Sequence, residues 1–216
     1  MALTIKLVRH GQSRSNVGEV VAKDVGDHTI ELTERGKDQA RAVGRALGAD
    51  YLQDALIYNS PYQRTRQTLA GIIEGAGVGG SELRRYEDPR LREVDPGYEE
   101  YDAQHELRRT HGWFYYRFKG GESPSDCFDR TSSFLETMMR QVERKAAEHV
   151  LIVTHGLTLR CFVMRYLHLT VEQFDQLANP ANCDIVTIAE KHTLEAPMFT
   201  TGRWGVAGLR PRQPGE

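Results

Sequence analysis

The chain has 216 residues, 39% hydrophobic and 27% charged, the composition of a globular domain large enough to bury roughly 70% of its unfolded surface. Its formal net charge is −2 and its isoelectric point about 6.5, which argues against a broad nucleic-acid surface and confines any strong positive field to a local site. No apolar run approaches the ~20 residues of a membrane span, so neither nucleic acid nor membrane is an expected partner.

Leu3, Ile5 and Leu7 alternate with Thr4 and Lys6. This reads as a first strand, Thr4–Val8, and not as a targeting segment. The apolar run then stops at Arg9-His10-Gly11. In an open α/β sheet ligands sit beyond the carboxyl ends of the strands, so a basic pair there is a candidate anion site. Gly11 allows a close turn, and Ser13 is placed to begin a helix whose free N–H groups suit an anion. A surface turn holding a basic pair by chance explains this stretch equally well.

Thr33 is a candidate N-cap for a helix running to Leu47. Ala55–Asn59 reads as a second strand, followed by Ser60-Pro61-Tyr62-Gln63, which has the form of a capping box with proline in the first turn of a helix over Tyr62–Gly75. That helix begins at the edge that holds Arg9 and His10. Arg64 and Gln67 share a face, and Arg64 is a candidate second guanidinium; Arg66 reads as solvated. Gly75–Gly80 is a glycine-rich loop and Glu82–Tyr86 a third strand. The loop after it offers Glu93, Asp95, Glu99 and Glu100, and spacing alone does not choose among these carboxylates.

His105–Lys119 mixes five aromatic and four basic residues and is expected to cap the site; the alternative is a helix burying aromatics with its basic residues in solvent. Ser123-Pro124-Ser125-Asp126 is another capping box, opening a long amphipathic helix. His149–Thr154 is the most apolar strand, hence central, and ends in His155-Gly156. In a parallel sheet His10 and His155 emerge at the same edge, which makes a joint site the stronger reading. Thr170–Gln173 is a further capping box and Asp184–Ala189 a fifth strand. The residues after Trp204 read as a weakly structured tail, 205–216, behind a single domain, 1–204. Cys127, Cys161 and Cys183 are odd in number and lack metal-ligand spacing. They read as reduced thiols of a cytoplasmic protein, and no metal or cofactor is expected. Oligomeric state is left open, a homodimer included.

Strands alternating with helices predict an α/β fold with a mostly parallel sheet. The ordered set Arg9-His10-Gly11-Gln12-Ser13 with Asn16, Leu32-Thr33 with Gly36 and Gln39-Ala40, Ser60-Pro61 with Arg64, Gln67 and Thr68, Leu91 and Glu93 with Gly97, Gly121-Glu122-Ser123, and Val153-Thr154-His155-Gly156 resembles the histidine phosphatase superfamily, also called phosphoglycerate mutase-like. The resemblance covers Leu7 to about Ile188. It implies a three-layer α/β/α sandwich and metal-free phosphoryl transfer to a small phosphorylated substrate. It makes His10 the nucleophile, Arg9, Arg64 and His155 the phosphate pocket with Gly156 beside them, Ser13 and Asn16 further hydrogen-bond partners, and Glu93 the general acid. Gln12 stands where many members have glutamate, and Leu157 where mutases carry a small or polar residue. The short stretch from Glu93 to His155 lacks the mutases' long insertion, which favours the phosphatase branch, close to its broad-range acid phosphatases, over mutase-type transfer or a non-catalytic phospho-ligand binder.

Overall fold

The computed structural model describes residues 2–80, 83–97, 99 and 104–213, with the side chain of His105 left aside. A seven-stranded sheet runs through it in the order β3-β2-β4-β1-β5-β7-β6. The strands are β1 Thr4–Arg9, β2 Leu56–Asn59, β3 Arg84–Glu87, β4 His149–Thr154, β5 Ile185–Glu190, β6 Phe199–Thr201 and β7 Trp204–Ala207. β1, β2, β3 and β4 are mutually parallel, whereas β5, β7 and β6 run antiparallel. The parallel core therefore occupies one half of the sheet.

The two faces follow from the strand period of two. Ile5, Leu7, Val150 and Ile152 point into one apolar core, shared with Phe134 and Met138 of α6 (Pro124–Lys145) and Phe162 and Val163 of α7 (Gly156–Leu167). Val8, Ile57, Leu151 and Val153 point into the other. That core is closed by Val43 and Leu47 of α2 (Glu34–Leu47), Leu52 of α3 (Ala49–Asp54), and Leu69 and Ile72 of α4 (Gln63–Ala76). β4 is buried along nearly its whole length, as its unbroken apolar run requires. This is the expected three-layer sandwich.

Thr33 caps α2 by accepting from the Gly36 N–H. The capping boxes at Ser123–Asp126 and Thr170–Gln173 both form. The one expected at Ser60 does not: α4 starts at Gln63 with Tyr62 as an N-cap that makes no side-chain cap bond. Ser13 opens no helix either. It pairs with Leu32 in an isolated bridge, and the next helix, α1, spans only Ala22–Val25.

The tail expected to be weakly structured is tied into the sheet. The boundary placed after residue 204 falls inside β7, whose Val206 is fully buried beside Ile188. Beyond it, Arg210 O accepts from Ala178 N and Arg212 N donates to Gln176 O. Local composition does not reveal this, because the partners lie on β5 and in the 176–178 turn. Glu82, placed in the third strand by sequence, lies outside the described residues.

Candidate active site

β1 and β4 pair in parallel with Arg9 opposite Thr154. Their next residues, His10 and His155, therefore leave the sheet side by side. The ring centroids are 5.2 Å apart, edge to face. Both rings are buried. Burial, reinforced by the positive field of Arg64, holds both imidazoles neutral, with pKa values well below the ordinary histidine value.

A hydrogen bond assigns the tautomer of His10. His10 Nδ1 lies 2.8 Å from the Gly11 carbonyl, which only accepts, so Nδ1 carries the proton and Nε2 keeps its lone pair. His155 Nε2 lies 2.9 Å from Ser60 Oγ. That oxygen also accepts from Tyr62 N at 3.3 Å; with its hydrogen directed at Nε2, His155 carries its own proton on Nδ1. This buried Nδ1 has no protein partner, and neither has the buried Nε of Arg9. Unpaired buried donors are costly unless a ligand completes them.

Arg9 is anchored by donating from Nη1 to the Pro180 carbonyl at 2.7 Å. Burial lowers its pKa, and the carboxylates of Glu93 and Asp184 act against that shift. Arg64 reaches in from the first turn of α4. Its guanidinium lies over the Tyr62 ring, 5.0 Å from the centroid, and Tyr62 packs edge-on against His155. The Asp27 carboxylate accepts from both terminal nitrogens of Arg64. Glu93 accepts from Val94 N at 3.0 Å, and its Oε1 lies 3.2 Å from the Thr158 hydroxyl at the start of α7.

Arg9, His10, Arg64 and Glu93 line one cavity of about 230 Å³, together with Ser15, Asn16, Ala22, Asp27, Val94 and Pro96. Asn16 Oδ1 accepts from Ser13 N and from Asn182 Nδ2, which also donates to the His10 carbonyl. Ser13 itself is buried beneath, its hydroxyl 3.1 Å from that of Ser15, and Ser15 is the serine at the cavity wall. Gly156 opens α7 close under Arg9: a Cβ on it would lie 3.7 Å from Arg9 Nε. A second cavity of about 380 Å³ adjoins the first through Ala22, Asp27 and Pro96, and reaches Lys23, His28, Tyr62, Asp95 and Glu99.

The segment expected to cap the site does not reach either cavity among the described residues. Phe114 and Phe118 are buried in the main core, Trp113 stacks on Phe174, and Arg108 is buried over Trp113 and Phe118. Trp113, Phe114, Tyr116 and Phe118 belong to or pack on the core while Tyr115 is exposed, and the wall of the site comes from residues 15–28, 94–97 and 99 instead. Of the four loop carboxylates, Glu93 faces the first cavity, Asp95 and Glu99 the second, and Glu100 lies outside the described residues. Sequence reasoning missed Asp27, Ser60 and Asn182 as site partners. Each acts through a contact distant in the chain, and only Ser60 stood in a noted motif.

The chain belongs to the histidine phosphatase superfamily (branch 1), whose sequence profile matches residues 5–195. It is similar to the phosphoglycerate mutase-like protein AT74 of Arabidopsis thaliana, 38% identical over 84% of this chain and 63% of that protein's length. It is also similar to the broad-range acid phosphatase DET1 of Saccharomyces cerevisiae, 27% identical over 85% of this chain and 84% of the relative. Among solved structures, the mycobacterial glucosyl-3-phosphoglycerate phosphatase superposes with a TM-score of 0.71 at 23% identity, covering 95% of this chain and 97% of its own, a likeness of fold.

Proposed function

We propose that the protein is a phosphomonoesterase that hydrolyses small phosphorylated metabolites through a phosphohistidine on His10. The observation that carries this reading is the facing pair of buried histidines, in which the Gly11 carbonyl holds the His10 proton on Nδ1 and leaves Nε2 its lone pair. His10 offers a neutral Nε2 lone pair beside an N–H of His155 and the unpaired Nε of Arg9. A neutral nucleophile avoids repulsion from a phosphomonoester, and the buried donors receive the equatorial oxygens as charge spreads over them.

His10 Nε2 attacks phosphorus and the P–O bond to the leaving group breaks. Glu93, at the cavity wall, protonates the departing oxygen. It then takes a proton from the water that attacks the phosphohistidine, which releases inorganic phosphate and restores the imidazole. The adjoining cavity is the place for the leaving group. Its lining mixes Asp27, Asp95 and Glu99 with Lys23 and His28, and Asp27 and Glu99 are themselves paired with Arg64 and Lys119. The name of the yeast relative, a broad-range acid phosphatase, supports hydrolysis over mutase-type transfer. The free thiols of Cys127, Cys161 and Cys183 fit a reducing, cytoplasmic setting.

A screen across sugar phosphates, nucleotides, phosphoglycerates and aryl phosphates, with acid-quenched and alkali-quenched turnover alongside, tests the proposal. Wild type is expected to release phosphate and to retain label that survives alkali and is lost in acid, as a phosphoramidate does. His10→Ala is expected to lose both. A His10→Ala variant that keeps most of its turnover refutes the assignment.

A further inference from the structure

Arg64 is among the least exposed charged side chains, its side chain 5% exposed, yet it is not held by the site alone. Its Nη1 donates to the Asp27 carbonyl at 2.7 Å and to Asp27 Oδ1 at 2.8 Å, and its Nη2 donates to Asp27 Oδ2 at 3.0 Å. A guanidinium has five N–H donors in a rigid fork. Three are spent on one residue: one N–H from each Nη, the terminal edge, grips the carboxylate, and the other Nη1–H reaches the carbonyl. The Nε–H and the second Nη2–H remain, and they form the lateral fork that suits two oxygens of a phosphoryl group.

Asp27 comes from the stretch between Ser13 and Leu32, a part of the chain with little packing of its own. α1 and the 3₁₀ turn Asp27–Thr29 bury no residue, and Val17, Val21 and Val25 are exposed. Ile30 and Leu32 are its buried anchors. Asp27 also lines both cavities. One carboxylate thus meets the phosphate pocket, the leaving-group cavity and the wall between them.

We propose that Asp27 is a positioning residue: its bidentate grip and carbonyl fix the Arg64 plane so that the lateral Nε–Nη2 edge, and not the terminal edge, receives the phosphoryl group. The role rests on the phosphate-binding pocket proposed above, but not on turnover. The opposite role is that of a competitor, a carboxylate occupying the arginine until phosphate displaces it. The two predict opposite signs.

Orthovanadate binding measures this without requiring catalysis. Asp27→Ala is expected to weaken orthovanadate roughly ten- to a hundredfold, and Asp27→Asn, which keeps one acceptor for the fork, to recover part of that loss. In an Arg64→Ala background the same Asp27→Ala change is expected to cost less than about twofold, because a residue acting only through Arg64 has nothing left to orient. Unfolding midpoints of all four proteins separate affinity from folding. Binding that is unchanged or tighter in Asp27→Ala overturns the proposal in favour of competition. An equal loss with and without Arg64 overturns it in favour of a general structural role. Wild type that binds orthovanadate and hydrolyses no ester overturns the proposed function and leaves the role of Asp27 standing.

Discussion

Ser60 shows how a single side chain acquires its role from distant partners. Its sequence context, Ser-Pro-Tyr-Gln, calls for an N-cap, but its hydroxyl is directed at His155, 95 positions away, and α4 starts later and uncapped by any side chain. The consequence is chemical. The hydroxyl proton on Nε2 leaves the His155 proton on Nδ1, where no protein acceptor competes for it. Without the hydroxyl, no partner holds Nε2 in its acceptor form, and the Nε2–H tautomer removes the donor from Nδ1. Ser60→Ala is therefore expected to lower kcat/KM about tenfold, and Ser60→Thr to preserve most of it, read by steady-state kinetics on an aryl phosphate. Equal activity in Ser60→Ala removes the tautomer argument. His10, His155, Arg9 and Arg64 were legible in the sequence because each ends or follows a strand or opens a helix at the same sheet edge, whereas Glu93, one of four loop carboxylates, was singled out by the family resemblance alone. Asp27 and Asn182 were not, since a hydrogen bond between loops leaves no periodic trace.

At the level of elements, the strongest sequence signals were the ones with a single physical cause. β1 and β4 are apolar runs cut off by His-Gly, and their parallel register alone brings the two histidines together. β7 is a short antiparallel strand whose burial depends on β5, so composition suggested a tail after Trp204. The aromatic 105–119 segment left two readings open for the opposite reason: aromatic and basic residues suit a substrate cap and a core edge equally, and the packing on Phe174 favours the core for Trp113 and Phe114. The α2–α4 pair, which carries Arg64 into the site, packs by direct backbone approach. A Cβ on Gly44 would lie 2.1 Å from the Ile72 carbonyl oxygen, and one on Gly75 the same distance from that of Arg41. Neither obstacle is a flexible side chain, so the helices must separate to admit a methyl group. Gly44→Ala is expected to destabilise the fold by about 2 kcal/mol or more, despite alanine's better helix propensity, as a lower urea midpoint. A midpoint at or above that of wild type shows that the helices part freely, and that Arg64 is positioned by Asp27 without help from its own helix.

For the whole molecule, a chain of nearly balanced charge gathers positive groups at one end of its sheet. Arg9, Arg64 and Arg130 all act on His155, and Arg9 and Arg64 on His10, in addition to the burial that dominates both shifts. The site is preorganised for an anion at a cost to the free protein, and that cost depends on pH. In the unfolded chain both imidazoles take up protons as pH falls through about 6.5. In the folded protein they stay neutral to a lower pH. Between those limits the unfolded state binds more protons, so stability rises with pH there and falls on acidification, by up to about 1.4 kcal/mol per pH unit for each imidazole. The depressed carboxylates work in a separate window. Asp126, held down to about 2 chiefly by Arg117, contributes its full stabilisation above about 3.8 and loses it only as pH falls towards 2. Urea titrations at pH 7, 6 and 5 isolate the histidine term, and a decline over that range is expected in wild type. Replacing His10 with asparagine removes one of the two protons and is expected to shrink the decline. Activity moves differently over the same range: His10 stays unprotonated below pH 6.5, so kcat/KM should hold through pH 6 while stability is already falling. A stability profile flat from pH 7 to 5 contradicts the buried neutral pair on which the nucleophile depends.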